Sequence, residues 1–173
     1  MKPLKAEAPY ITTHYAIASI DSGDGKVAGV AKFIQRTGEK ARVYVEMNGL
    51  TAGKHGIHIH EFGNLSQGCT SAGAHYNPYG RNHGGPSALL RHVGDLGNLE
   101  SNGPTLTTVL NNMDPLVQLY GTMSVVGRSV VIHADEDDLG LGGQSDSLTT
   151  GHAGARLACG VIGTCAPFDV PTL

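Results

Sequence analysis

Apolar and polar positions alternate through the first part of the chain. Tyr15 and Ile17 alternate with Ala16, Ala18 and Ile20, and Val43 and Val45 alternate with Arg42, Tyr44 and Glu46. A period of two marks a strand, whose side chains point in turn to opposite faces. Turn-forming clusters separate the runs: Asp21-Ser22-Gly23-Asp24-Gly25, Thr37-Gly38-Glu39 and Asn48-Gly49. Short strands at this spacing predict antiparallel hairpins, and so an all-β sandwich or barrel.

Two stretches break the pattern. From about residue 61 to residue 98 the chain is rich in Gly, Asn, Ser, Pro and His and has little periodicity. A loop that long inside a compact domain is usually functional. Strands are expected to resume near residues 105–110 and 117–120, then over 123–133 with a turn or kink at Gly127-Arg128. A second irregular stretch, 134–154, is rich in Gly, Ser and Asp and leads to a last strand over 156–163. No segment carries the period of a long amphipathic helix, and no repeat or second domain is evident. Residues 1–173 therefore read as one domain.

Composition narrows the function classes. The 173 residues are 40% hydrophobic and 16% charged, which suits a globular chain with one sizeable core. Glycine supplies 25 residues and tryptophan none, which favours many turns and short strands. A net charge of −3 gives no general attraction to nucleic acid or to a membrane surface. No apolar run approaches the ~20 residues that span a bilayer, so neither partner is expected. Residues 1–10 lack the apolar middle of a signal peptide. A cytoplasmic protein is expected, or a secreted one if a signal peptide was removed. Lys54 is the last lysine, and beyond Arg91 only Arg128 and Arg156 are basic. Three cysteines, Cys69, Cys159 and Cys165, leave at least one unpaired within a monomer, and no C-x-x-C occurs.

The nine histidines carry the chemistry. A lone histidine is more often a packed or surface residue than a ligand, so the argument is collective. His58 and His60 lie two apart in the strand-like run Gly56-Ile57-His58-Ile59-His60, so both rings point to one side. His133 ends another such run, Ser129-Val130-Val131-Ile132-His133. If the two strands are close, three imidazoles converge, a donor set that suits copper or zinc. The long loop adds His75, His83, His92 and Asp95, the last two within His92-Val93-Gly94-Asp95. Three imidazoles and a carboxylate make a closed four-ligand set fit for structural zinc.

Longer motifs support a family resemblance. Gly56-Ile57-His58-Ile59-His60-Glu61-Phe62-Gly63 resembles the first signature of the copper/zinc superoxide dismutases, and residues 154–163, Gly-Ala-Arg-Leu-Ala-Cys-Gly-Val-Ile-Gly, resemble the second. Between them Cys69-Thr70-Ser71-Ala72-Gly73, His75-Tyr76-Asn77-Pro78, His83-Gly84-Gly85 and His92-Val93-Gly94-Asp95-Leu96-Gly97-Asn98 resemble family motifs in order. The resemblance covers a core of about 13–163, with short extensions at each end.

The resemblance implies an eight-stranded antiparallel Greek-key β-barrel with a long metal-binding loop and a second active-site loop. It implies one copper per subunit on His58, His60, His75 and His133, and one zinc per subunit on His75, His83, His92 and Asp95. His75 would bridge the two, releasing copper and taking up a proton on reduction. Asp137 would join a copper histidine, His58, to a zinc histidine, His83. Arg156 would anchor superoxide, with Thr150 narrowing the channel opposite. Cys69 would pair with Cys159, leaving Cys165 free or intermolecular. A homodimer is implied, with Phe62, Gly63, Val126, Gly127 and Val161 at contact positions and Thr164 where a hydrophobic residue is common. A copper chaperone is a further expected partner.

One stretch departs from the family. Many eukaryotic members carry paired acids and a lysine in the second loop, whereas this one reads Gln144-Ser145-Asp146-Ser147-Leu148-Thr149-Thr150, without lysine or arginine. Asp135 and Glu136 add negative charge nearby. Weaker electrostatic steering is expected, with Arg156 and the metals supplying most of the attraction and Arg81 or Arg91 left open as helpers. A dismutase-like copper chaperone is disfavoured by the complete ligand set and the absence of C-x-C. A catalytically weak metal-binding relative is disfavoured by Arg156. His14, His55 and His152 read as structural or surface residues.

Overall fold

A computed structural model describes residues 11–172 of the chain. Ten strands, one 3-10 turn and one short α-helix follow in order: β1 (Thr13–Asp21), β2 (Ala28–Arg36), β3 (Ala41–Asn48), β4 (Gly53–His60), β5 (Ser66–Cys69), the 3-10 turn (Thr70–Ala72), β6 (Asp95–Ser101), β7 (Thr108–Asp114), β8 (Ser129–His133), α1 (Ser147–Thr150), β9 (Arg156–Val161) and β10 (Gly163–Thr164). Eight of them pair in the order β6-β4-β8-β9-β1-β2-β3-β7, every ladder antiparallel. The two end strands, β6 and β7, approach each other, so the sheet is a nearly closed barrel.

The alternation sorts the side chains. Ala16, Ala18 and Ile20 of β1, Ala31 and Phe33 of β2, and Val43, Val45 and Met47 of β3 fill the barrel with Ile57, Ile59, Leu99, Val130 and Ile132. Each fully buried aliphatic or aromatic side chain contributes about 1.5–3 kcal/mol. A second, smaller cluster lies outside the barrel: Ala72, Val131 and Cys159, covered by Leu65 and Cys69. Three small buried side chains hold that layer only weakly, which makes the cross-link there comparatively important. Cys69 and Cys159 form it, with Cα atoms 5.6 Å apart, and Cys165 is free.

The turns at 21–25 and 37–39 close the β1–β2 and β2–β3 hairpins as expected. Asn48-Gly49 does not: β3 pairs with β2 and β7, and the chain crosses to the opposite side of the barrel to start β4. Residues 95–98, read from sequence as loop, begin β6. Residues 117–120, read as a strand, form none. Val117 and Leu119 are buried in the core, but their backbone partner is a side chain: Leu119 N–H donates to Gln35 Oε1 at 2.7 Å. Of 123–133 only the last five residues are strand.

The C-terminal extension is a strap. Cys165 N–H donates to the Tyr15 carbonyl at 3.3 Å, and the Phe168 ring meets Tyr15 edge-on at 5.4 Å. Lys32 Nζ lies 5.5 Å from the Phe168 ring centre. Arg42 and Asn111 both donate to the Pro171 carbonyl. The tail thus crosses β1, β2, β3 and β7 on their outer face. The N-terminal extension, residues 1–10, lies outside the described residues.

Candidate metal centre

β4 has two buried faces. Ile57 and Ile59 point into the barrel, while His58 and His60 point outward beneath the two long loops. The first loop is laid directly on this strand. Ile59 N–H donates to the Gly94 carbonyl at 2.8 Å, Tyr76 N–H to the Ile59 carbonyl at 2.8 Å, and His60 bridges to His75. A β-carbon at Gly94 would lie 2.1 Å from the Ile59 carbonyl oxygen, so only glycine allows the approach. β8 pairs with β4 through Ile57↔Ile132 and Ile59↔Val130, which brings His133 alongside the other rings.

Two four-membered sets result. Ligand-capable atoms of His58, His60, His75 and His133 all lie within 4.8 Å of one another, and so do those of His75, His83, His92 and Asp95. All seven residues are buried. His75 belongs to both sets.

The outer nitrogens explain which atoms remain. His58 Nε2–H donates to Asp137 Oδ2 at 2.9 Å and His83 Nε2–H to Asp137 Oδ1 at 2.8 Å. His60 Nδ1–H donates to the Gly73 carbonyl at 2.9 Å, His133 Nδ1–H to the Gly154 carbonyl at 3.2 Å, and His92 Nε2–H to the Arg81 carbonyl at 2.9 Å. A neutral imidazole donates from one nitrogen and presents a lone pair on the other. The free lone pairs are therefore His58 Nδ1, His60 Nε2 and His133 Nε2 on one side, and His83 Nδ1 and His92 Nδ1 on the other. His75 alone spends neither nitrogen on an outer acceptor: Nδ1 lies 3.0 Å from Asp95 Oδ1, and Nε2 has no hydrogen-bond partner. His58 Nδ1 and His83 Nδ1 are likewise buried without one.

These orphaned atoms fit metal ions. Buried polar atoms are almost always hydrogen-bonded, and three unsatisfied nitrogens in one cluster ask for a cation. His60 Nε2 and His133 Nε2 stand 3.4 Å apart with lone pairs facing. His83 Nδ1 lies 2.9 Å from Asp95 Oδ1, outside hydrogen-bond geometry. The all-imidazole set suits copper and the carboxylate-containing set zinc. The third close group, His58, His83 and Asp137, is already satisfied by hydrogen bonds and is a clamp between the two sets.

Electrostatics set His83 apart from His58 and His133. Burial, with the neighbouring His75, lowers His58 to about 3, and burial lowers His133 to about 4, so both rings are neutral and ready to bind. At His83 burial also pulls down, but Asp137 and Asp95 outweigh it and raise the ring to about 9. Burial opposes ionisation of Asp95, yet His75, His83 and His92 around it hold its carboxyl well below the usual range.

Access runs through a cleft of about 520 Å³ lined by His60, His75, His133, Asp146, Thr150 and Arg156 among others. Arg156 Nη1 donates to the carbonyl of Cys69 at 2.7 Å and Nη2 to that of Gly73 at 2.6 Å. Its guanidinium is thereby fixed over the histidines. Gly151 closes the second loop against the clamp: its φ is +68°, and a β-carbon there would lie 2.1 Å from Asp137 Oδ1 and 2.5 Å from His83 Nε2.

Other polar residues brace the site or stand apart from it. Asn98 pairs twice with Asp137, its Nδ2–H donating to the Asp137 carbonyl at 2.9 Å and its Oδ1 accepting from Asp137 N–H at 2.8 Å. Arg91, left open as a steering cation, is 1% exposed and bound to Asp114 at 2.7 Å, so it cannot serve an approaching anion. Of the three remaining histidines, His14 stacks on Tyr120 at 4.8 Å, and His55 is buried with Nδ1 2.9 Å from the His133 carbonyl oxygen. His152 is exposed and paired with Asp146 at 2.7 Å.

A seven-residue cluster of two donor sets sharing one imidazole, on the face of an antiparallel barrel, defines a binuclear metalloprotein. The family model for copper/zinc superoxide dismutase matches residues 27–162. An extracellular copper/zinc superoxide dismutase of Drosophila melanogaster is 50% identical over 150 residues, covering 86% of this chain and 82% of the relative. A copper/zinc superoxide dismutase A of Xenopus laevis is 49% identical over 144 residues, covering 83% and 94%. A putative copper/zinc superoxide dismutase of Orgyia pseudotsugata multicapsid polyhedrosis virus is 55% identical over 117 residues, covering 68% and 77%. The chain belongs to the copper/zinc superoxide dismutase family, an oxidoreductase family that works with copper and zinc.

Proposed function

We propose that this dismutase binds copper on His58, His60, His75 and His133 and zinc on His75, His83, His92 and Asp95, one of each per subunit. It turns two superoxide anions and two protons into one dioxygen and one hydrogen peroxide. The observation that carries this reading is His75, the one ligand histidine with both nitrogens turned inward. When bound, copper supplies a one-electron couple that one superoxide reduces and a second reoxidises, and zinc supplies charge without redox chemistry.

The chain's own residues do the rest. Arg156 docks the anion, since a guanidinium stays charged and its carbonyl partners fix its fork beside His60 and His133. Thr150 narrows the cleft from the opposite loop. His75 Nε2 takes up a proton and gives it back, and burial keeps the ring a weak base that releases it readily. Asp137 holds His58 and His83 in fixed tautomers, as outer partners of metal ligands do. The whole of residues 1–173 acts as one domain.

Assembly and compartment follow from other features. Phe62 and Val161 are 53% and 41% exposed, and Gly63 packs against the Gly127 carbonyl, which together favour the expected homodimer face. The cytoplasm is the expected compartment, and an extracellular relative supports the secreted alternative. Loading by a copper chaperone remains the expected route for the metal. The deciding experiment is superoxide decay after a radiolysis pulse on copper- and zinc-loaded protein. Decay that scales with protein concentration at a near-diffusional rate is the expected outcome. Decay no faster than in metal-matched controls sinks the reading.

A further inference from the structure

A second cleft, of about 340 Å³, opens beside the access cleft. Glu61, His75, Asn77, Asn82, His92 and Leu148 are among its lining residues. Ala74, His75 and Thr149 line both clefts, so they form the partition between them. The two clefts reach different donor sets. His60 and His133, of the all-imidazole set, line the access cleft, whereas His92, of the set with Asp95, lines the second. The walls of the second cleft are built around the ring it reaches. Asn77 Nδ2–H donates to the Arg81 carbonyl at 2.8 Å, and Arg81 N–H donates to Asn77 Oδ1 at 2.9 Å. That same carbonyl accepts from His92 Nε2–H, so one anchor holds both the cleft wall and the imidazole. On the α1 side His83 N–H donates to the Leu148 carbonyl at 2.9 Å, which fastens the helix to the metal-binding loop.

We propose that the second cleft is the route by which zinc enters and leaves the set of His75, His83, His92 and Asp95, separate from the access cleft. A divalent cation arriving through the access cleft meets the free lone pairs of His60 and His133 first, and imidazole suits zinc as well as copper. A cation arriving through the second cleft meets His92 and His75 first. Two routes therefore deliver two metals to two sets that share a ligand. The charges on the second route suit a cation. Glu61 sets a carboxylate on its wall. The Arg81 guanidinium is engaged elsewhere, 5.4 Å from the Tyr79 ring centre and with Nη1 donating to the Leu89 carbonyl at 3.4 Å. Asn82 and Leu148 bound the mouth: both are exposed, Leu148 by 52%, whereas the four residues of the set are buried.

The proposal rests on the reading that this set holds zinc, and its test reads metal exchange instead of dismutation. Metal-free, full-length protein is mixed with one equivalent of cobalt(II), a divalent stand-in for zinc whose visible bands report its ligands. Release is then followed into excess chelator. Three variants are compared with the unaltered protein. Asn82→Trp narrows the second cleft, Leu148→Ala widens its mouth, and Thr70→Trp narrows the access cleft from an exposed position. Asn82→Trp is expected to slow uptake and release alike, by about tenfold, and to leave the affinity unchanged, because a route alters the barrier and not the end states. Leu148→Ala speeds both rates, and Thr70→Trp changes neither. Unchanged rates in Asn82→Trp overturn the proposal, and so does the same slowing in Thr70→Trp. A change in release alone, with the affinity altered in step, makes Asn82 a support of the ligands and overturns it too. Should Asn82→Trp fail to fold, Leu148→Ala decides: equal acceleration of uptake and release supports the route, and unaltered rates sink it. No stoichiometric tetrahedral cobalt spectrum in the unaltered protein defeats the zinc reading itself, whereas a full spectrum with insensitive rates defeats the route alone.

Discussion

Arg91 and Asp114 form a buried ion pair, Nη2 to Oδ2 at 2.7 Å, between the metal-binding loop and the end of β7. The guanidinium does more than pair. Its Nη1 donates to the carbonyls of His92 at 3.1 Å and Asp95 at 3.0 Å, so it grips from behind the turn that carries both residues. Asp114 Oδ1 accepts from the N–H groups of Leu116 and Val117 in turn.

Removing one partner of such a pair strands a buried charge. Asp114→Ala is expected to destabilise the protein by about 3–5 kcal/mol and to weaken zinc retention. Urea denaturation and a zinc-dye titration measure the two effects. A loss within experimental scatter on both would show that the turn is held by its own backbone.

Asp137→Asn keeps the size of the clamp but offers one acceptor where two imidazole N–H groups donate. One ring must then lose its partner or turn. Zinc affinity is expected to fall about 10–100-fold. Metal analysis after graded chelation checks this, and unaltered zinc retention would remove Asp137 from the metal site.

Replacing both Cys69 and Cys159 by alanine opens a loop of sequence separation 90. The expected cost is about 2–5 kcal/mol. A second effect is local: the Cys69 and Gly73 carbonyls that fix Arg156 belong to the released segment. The dismutation rate should therefore fall even at temperatures where the variant is folded. Thermal unfolding followed by pulse radiolysis separates the two effects.

The metal-free protein should lose stability as pH falls from about 6.5 towards 4. His58 and His133 are held neutral in the fold, at about 3 and about 4, and take up protons near 6.5 when unfolded. The unfolded chain thus binds more protons across that window, and acid favours it. His83 has the opposite sign: raised to about 9, it stabilises below 6.5 and loses that contribution as pH rises through 9. The unfolding midpoint of metal-free protein between pH 4 and 9.5 should fall at both ends, and a monotonic profile would contradict this.

Phe168→Ala tests the strap. The ring is half-buried against Tyr15 and Lys32, so about 1 kcal/mol is at stake. Metal content and dismutation should not change, since the strap lies on the outer face of β1, β2, β3 and β7, away from the cleft.

Much of this was legible in the chain. The two-residue period marked β1, β3 and the end of β4, and put His58 and His60 on one face, because a strand leaves no other choice. The ligand types were readable from the loop, but their convergence was not, since it depends on Gly94 lying against Ile59. β6 was missed because Asp95–Ser101 shares the Gly- and Asn-rich composition of the loop before it. Residues 117–120 misled for the converse reason: Val117 and Leu119 plug the barrel with a strand-like alternation, while Gln35 supplies the pairing. Asn98 and Arg91 act through long-range hydrogen bonds that no spacing announces.

Gly151 gives the site a further property. Its backbone lies so close to the Asp137–His83 hydrogen bond that the second loop rests on the metal clamp with nothing between. The cleft wall and the His83–Asp137 pair are then one mechanical unit, and their states are thermodynamically linked. Chelation should loosen the doorway as well as empty the room, so hydrogen exchange in residues 144–152 would report zinc loss from outside the centre. The same linkage runs backwards: whatever stiffens the doorway should help the protein keep its zinc.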